Sequence, residues 1–155
     1  MITIGKNILE AVHRHAVKEY PHECCGVVIG NPENSEEDIV YPCTNVQNQL
    51  HEKDPGNYPR DAKTAFNIDA RELLKIENEA RTRGLGIKIF YHSHPEHDAY
   101  FSEEDEKQAL FGDEPWYPDA SHLVISVYNG QIKDQALFAW RPEKKVFERQ
   151  KDLNL

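Results

Sequence analysis

The chain has 155 residues, the size of one domain that buries about two-thirds of its unfolded surface. Hydrophobic residues make up 39% and charged residues 29%, a balance that excludes a membrane-embedded or disordered chain. A formal net charge of -9 excludes nucleic acid as an expected partner, because gripping a phosphate backbone relies on clustered Lys and Arg.

Residues 1–155 read as a single domain without internal repeats. Asn7 can cap a helix over 8–20, with Ile8, Val12, Ala16 and Tyr20 recurring on one face. Pro21 stops it. The run Gly26–Gly30 is continuously apolar, the pattern of a central strand. A polar turn at 31–35 leads to a strand near 38–43. Residues 45–63 contain Pro55, Gly56 and Pro59 and read as a long loop, with at most a short strand at 44–46. Loops of that length are often functional, so this one either borders the active-site groove or is a plain surface excursion.

A short strand at 64–68 precedes Asp69-Ala70-Arg71-Glu72, an Asp-x-x-Glu helix start. Leu73, Leu74, Ile76 and Ala80 give that helix its apolar face, and Gly84 suits the position past its end. A strand over 87–92, a helix over 102–111 and a connector at 112–118 follow. The segments 122–128 and 131–140 flank the turn Asn129-Gly130 as a hairpin. Together these elements predict an α/β (α+β) domain: a curved, mostly antiparallel or mixed sheet flanked by helices. No stretch approaches the roughly 20 apolar residues needed to span a bilayer. Met1–Lys6 lacks the basic start and apolar run of a secretory signal, so a cytoplasmic protein without membrane association is expected.

Cys24, Cys25 and Cys43 do not suggest a disulfide framework. Cys24 and Cys25 alternate faces, placing one in the core and the other nearer the site. All three read as small apolar residues; a redox-sensitive thiol beside Glu23 or an extra metal contact is the alternative.

The most informative segment is His92-Ser93-His94-Pro95, followed by Ser102 and Asp105. On a strand, His92 and His94 project to one face and Ser93 to the other, and Pro95 closes the strand. Ser102 and Asp105 share one side of a helix that begins near Ser102, so the Ser102 hydroxyl can face the same site. Two imidazoles and one carboxylate leave a fourth position for water, the arrangement of a catalytic zinc. Ser102-Glu103-Glu104-Asp105 equally fits a helix N-cap with an acidic first turn. The ligand set also fits a non-haem Fe(II) triad, although such enzymes usually place the carboxylate between the histidines.

His-x-His-Pro, a gap of six residues, then Ser-x-x-Asp resembles the signature of the JAMM (MPN+) zinc metalloprotease family. The chain looks like a small prokaryotic-type member, with the resemblance running from the first helix through Trp140. Glu23, in the segment Pro21–Gly30, matches the family's upstream glutamate. The resemblance implies an MPN/JAMM (cytidine-deaminase-like) architecture and one Zn2+ per chain held by His92, His94 and Asp105. It implies Glu23 as the general base, with Ser102 donating to the developing oxyanion. The reaction implied is hydrolysis of a peptide or isopeptide bond after the C-terminal tail of a ubiquitin-like or sulfur-carrier protein. A small ubiquitin-fold carrier or a peptide adduct is the expected partner. Polyubiquitin is not expected, because a compact chain has little room for the insertions with which larger relatives grip it. A non-catalytic MPN scaffold is the alternative, disfavoured by the intact motif. Oligomeric state stays open between monomer and homodimer, since an edge strand could pair two copies or accept a substrate tail. His13, His15, His22, His51, His97 and His122 match no motif position and are assigned no role.

Overall fold

A computed structural model describes residues 2–151. Its centre is a six-stranded sheet of β1 (Cys25–Asn31), β2 (Asn34–Cys43), β3 (Gly86–Pro95), β6 (Ser121–Tyr128), β7 (Gln131–Arg141) and β8 (Val146–Arg149). The strand order is β2-β1-β3-β6-β7-β8. Every neighbouring pair is antiparallel except β3 and β6, which run parallel. A parallel pair needs a crossover, and residues 96–120 supply it. They carry α4 (Glu103–Ala109) and a small ribbon of β4 (Leu110–Phe111) with β5 (Glu114–Pro115). The expected mixed sheet flanked by helices is the observed one.

Helix α1 (Lys6–Glu19) covers one face, burying Leu9, Val12 and Ala16 against Val28, Ile89, Tyr91, Leu123, Ile125 and Leu137. The buried stripe includes Leu9, and the helix starts two residues earlier than Asn7 as a cap predicts. Gly5 is its N-cap, with no side-chain cap; the Gly5 carbonyl already accepts from the N–H groups of Ile8 and Leu9. Helix α3 (Ala70–Thr82) covers part of the other face, where Ile76 and Ala80 pack with Cys25, Val27, Ile29 and Cys43. Asp69 caps α3 by accepting from the Arg71 N–H, as expected. Glu72 does not complete a capping box; it accepts from Thr44 N and Oγ1 at 2.8 and 3.0 Å and ties α3 to the end of β2.

Two glycines admit bulk that the sheet needs. Gly26 pairs with Tyr91, and a Cβ there would stand 2.2 Å from Tyr91 Cζ. At Gly30 a Cβ would stand 2.1 Å from Asp38 Oδ1, whose carboxylate holds the buried Lys88 ammonium at 2.8 Å.

Other differences from expectation are local. Strand β3 continues past His92 through Pro95, because β6 pairs alongside it as far as Pro95↔Val127. The 45–63 stretch contains α2 (Gln47–Lys53). The expected strands at 44–46 and 64–68 reduce to one isolated bridge between Asn45 and Ile68. Strand β8, unforeseen, pairs with β7 through Trp140↔Phe147. Cys24 and Cys25 are both buried rather than divided between core and site, and they belong to the two opposite core clusters. All three cysteines are free thiols. Burial pushes Cys24 and Cys43 each up to about 12, so they behave as small apolar residues. Among the described residues no helix is long and apolar enough to cross a membrane.

Candidate metal centre

The last residues of β3 and the first turn of α4 meet at one point. His92 and His94 occupy alternate positions on β3 and share a face; Ser93, between them, turns away, and its Oγ accepts the Cys24 N–H at 2.8 Å. Asp105 Oδ2 lies 3.0 Å from His92 Nε2 and 3.2 Å from His94 Nε2, and the two nitrogens are 3.1 Å apart. The three residues are buried and offer ligand atoms all within 4.8 Å of one another.

Each ligand is held by its own support. His94 Nδ1 is 2.9 Å from the Asp98 carbonyl. A carbonyl can only accept, so Nδ1 carries the proton and Nε2 presents its lone pair to the cluster. The His92 ring stacks on Phe66 at 4.4 Å between centroids. Asp105 is locked by a capping box: its N–H donates to Ser102 Oγ, and the Ser102 N–H donates to Asp105 Oδ2, both at 3.0 Å. The helix-cap reading of this motif is observed, and the cap leaves Asp105 beside the two imidazoles, where it could also serve as a ligand. Burial alone would raise the Asp105 carboxyl, but the two imidazoles beside it hold it well below the usual carboxylate range. Burial lowers the His92 pKa, with Asp105 opposing, which keeps a neutral ring available to a cation.

Two imidazole lone pairs and a carboxylate oxygen, converging and mutually close, are the donor set a divalent transition metal takes. The residues fit zinc, with room in the coordination sphere for one further ligand.

Glu23 precedes β1 and is 5% exposed. Its Oε1 is a buried side-chain oxygen without a hydrogen-bond partner. Burial raises its carboxyl well above the ordinary value, Asp105 adds to the shift and Arg60 opposes it. The backbone around it is tied on both sides. Its N–H donates to the Ala62 carbonyl at 2.7 Å, and its own carbonyl accepts from Asn45 Nδ2 at 3.0 Å.

The structure thus gathers His92, His94 and Asp105, with Ser102 bound to Asp105 and Glu23 near enough to feel the Asp105 charge. Part of the 45–63 stretch borders a cavity that Asp105 also lines, in keeping with one of the two readings of it, and residues 64–67 join it there. Tyr58, Arg60, Thr64, Phe66 and Asp105 line a common cavity of about 240 Å³. A second, more apolar cavity of about 360 Å³ adjoins Asp105 between Phe90, Trp116 and His122.

Sequence reasoning missed the residues that shape this segment. Asn45 Oδ1 accepts from the N–H groups of Gln47 and Asn67, each at 3.0 Å, and Gln47 Nε2 donates to the Arg60 carbonyl at 2.8 Å. The density of Asn and Gln between two apolar runs was the available signal. Two of the remaining histidines make structural hydrogen bonds: His15 Nδ1 meets the Tyr91 hydroxyl at 2.7 Å, and His51 Nδ1 meets the Tyr58 carbonyl at 2.7 Å. His122 is held neutral by burial, its pKa driven down to about 3.

The family described as prokaryotic homologs of the JAB domain matches residues 5–142. A CysO-cysteine peptidase of Mycobacterium tuberculosis is 27% identical over 126 residues, covering 81% of this chain and 73% of that protein. A desampylase of Haloferax volcanii is 27% identical over 120 residues, covering 77% and 73%. Among solved structures, a protein from Desulfitobacterium hafniense superposes with a TM-score of 0.70 at 25% identity, over 97% of this chain and 90% of that one. One from Salinibacter ruber reaches 0.62 at 23%, over 97% and 89%, a likeness of fold. With the His-x-His and Ser-x-x-Asp residues assembled at one point and the match spanning nearly the whole sheet, the chain belongs to the prokaryotic JAB-domain family.

Proposed function

We propose that this chain is a zinc-dependent hydrolase that cuts the peptide or isopeptide bond following the C-terminal tail of a small ubiquitin-fold or sulfur-carrier protein. The observation that carries the reading is the unpartnered Glu23 Oε1. Buried polar atoms in folded proteins are nearly always hydrogen-bonded, and leaving one bare costs about 1–3 kcal/mol. A bare carboxylate oxygen near a three-ligand cluster is poised to exchange a proton with something that enters the site.

Zinc held by His92, His94 and Asp105 would supply Lewis acidity, polarising a carbonyl and bringing the pKa of a water toward neutrality. Glu23 takes the proton of the attacking water and returns it to the leaving amine; its raised pKa suits a group that must hold a proton between those two events. Ser102 accepts the Asp105 N–H through its oxygen, which leaves the hydroxyl hydrogen free to donate to the developing oxyanion. No covalent enzyme intermediate is required. The names of the two curated relatives, a peptidase and a desampylase, support hydrolysis at a carrier tail.

The test is intact-mass analysis of a ubiquitin-fold sulfur carrier bearing one residue or a short peptide after its diglycine, incubated with the zinc-loaded protein. Loss of the added mass with wild type, but neither with chelator nor with Glu23→Gln, is the expected result. An unchanged mass with zinc bound would overturn the reading and favour a scaffold.

A further inference from the structure

The more apolar of the two cavities, about 360 Å³, runs up to the metal cluster, because Asp105 stands in its wall. Its remaining surface is largely aromatic. Phe90 and Tyr117 lie 4.9 Å apart between ring centroids, and His122 stacks on Phe90 at 5.6 Å. Trp116 adds a third side; its N–H donates to the Ala109 carbonyl at 3.0 Å, which holds the β4–β5 ribbon against the end of α4. The polar groups of the wall are engaged with one another. Gln108 Nε2 donates to the Phe66 carbonyl at 2.8 Å and to Asn67 Oδ1 at 3.1 Å, which occupies both of its hydrogens. Asn67 Nδ2 donates to Gln47 Oε1 at 2.6 Å, and the Tyr117 hydroxyl donates to Glu77. With His122 held neutral by burial, Asp105 is the one charged group in the lining among the described residues, and it faces the two imidazoles. An ionic side chain entering this space would lose its water and find no partner. A neutral ring finds several others to pack on. At the rim, Phe111 and Trp116 are 70% and 58% exposed and pack at 4.7 Å between centroids. Large apolar surface left in water beside a cavity is surface that a partner's apolar group can cover.

The occupant follows from the proposed function, on which this inference rests. A carrier tail ending in diglycine brings no side chain at the two residues before the scissile bond. The third residue back lies about 10 Å away along an extended chain. The first residue after the bond carries its side chain one carbon from the scissile nitrogen, beside the metal ligands. A cavity that begins at Asp105 is therefore within reach of that side chain. We infer that this cavity is the subsite for the first residue of the leaving group, and that it selects an uncharged aromatic side chain there. The chain then acts best on carriers whose attached peptide presents an aromatic residue at the junction. Seating the ring between Phe90, Tyr117 and Trp116 holds the scissile bond at the cluster, so binding away from the reacting atoms serves the reaction itself.

The experiment uses the zinc-loaded protein and a sulfur carrier with the same short peptide after its diglycine, varied only at the first residue: phenylalanine, alanine, lysine or glutamate. Phenylalanine is expected to exceed alanine in kcat/KM by about ten- to a hundredfold, the effect of burying one aromatic side chain. Lysine and glutamate should fall at or below alanine. Trp116→Ala should cut the phenylalanine-to-alanine ratio by about fivefold and leave the rate on the alanine carrier in place. Ala109→Leu, which puts bulk into the cavity, should bring the ratio to about one. A preference for phenylalanine that both variants retain would overturn the assignment to this cavity. Equal rates on phenylalanine and alanine, or a preferred charged residue, would overturn the inference and leave the hydrolase reading standing. Should no carrier be cleaved, affinity for zinc-loaded Glu23→Gln decides. Tighter binding of the phenylalanine carrier, lost in the Ala109→Leu background, supports the inference although the hydrolase reading falls; equal affinity overturns it.

Discussion

Ser102 and Asp105 hold each other by two reciprocal hydrogen bonds of 3.0 Å, and the Asp105 oxygen that accepts one of them is the oxygen facing both His92 and His94. One device therefore starts helix α4 and aims a ligand. Ser102→Ala is expected to cost about 1 kcal/mol as a lost cap. It should also weaken zinc binding by about ten- to a hundredfold, as loss of a ligand's supporting hydrogen bond does. Ser102→Thr should retain most of both. Zinc competition with a chromophoric chelator, alongside denaturant melts, reads the two effects; wild-type zinc affinity in Ser102→Ala would separate the cap from the ligand.

Zinc itself should stabilise the fold. At free zinc a hundredfold above the dissociation constant, binding adds about 2.7 kcal/mol, a Tm rise of about 5–10 °C for a chain of this size. His94→Ala should abolish that rise while melting cooperatively without zinc. A zinc-dependent shift that survives in the variant would place the ion elsewhere.

Glu23 makes the metal-free protein less stable at neutral pH. Its carboxyl is raised by burial above the reference value of 4.5. Between that reference and the raised folded value the native state binds a proton that the unfolded state has released, so stability falls as pH climbs through the interval. In chelator, Glu23→Gln should therefore melt higher than wild type at pH 7, with the difference shrinking to nothing as pH approaches 4. A gain that is independent of pH would mean that Glu23 is not the group responsible.

Gly26 is required by the Tyr91 ring. Tyr91 is 1% exposed and its hydroxyl is engaged by His15, so the ring cannot swing away from a new methyl group. Gly26→Ala should cost about 1–3 kcal/mol by overpacking. The same substitution in a Tyr91→Leu background should cost less, a coupling that a double-mutant cycle measures directly. Equal costs in both backgrounds would rule out the ring as the cause.

Much of the site was legible because its chemistry is local. His92 and His94 share a face by strand alternation, and Ser102 and Asp105 share a helical turn; both relations are set by backbone periodicity within a few residues. The buried strand at Gly26–Gly30 was legible for the same reason: a strand covered on both faces has no polar alternation. Helix α2 escaped notice because Gln47–Lys53 is polar, with Gln47 its one buried residue, and therefore lacks an apolar stripe. Strand β8 escaped because four residues at a sheet edge carry too short a pattern to read.

The sequence alone determined the fold class, the three candidate ligands and the reading of the cysteines as small apolar residues, since each depends on residue type and local patterning; Glu23 entered through the family resemblance. Tertiary structure decided what depends on long-range approach. The parallel β3–β6 crossover brings α4 back so that Asp105 meets His92 and His94. Burial, which no local pattern measures, leaves Glu23 Oε1 bare and lifts its pKa. Asn45 and Gln47 strap the intervening segment so that Arg60 reaches the same cavity as Asp105. Such contacts join residues tens of positions apart, and it is the packing of the whole sheet against its helices that brings them into register.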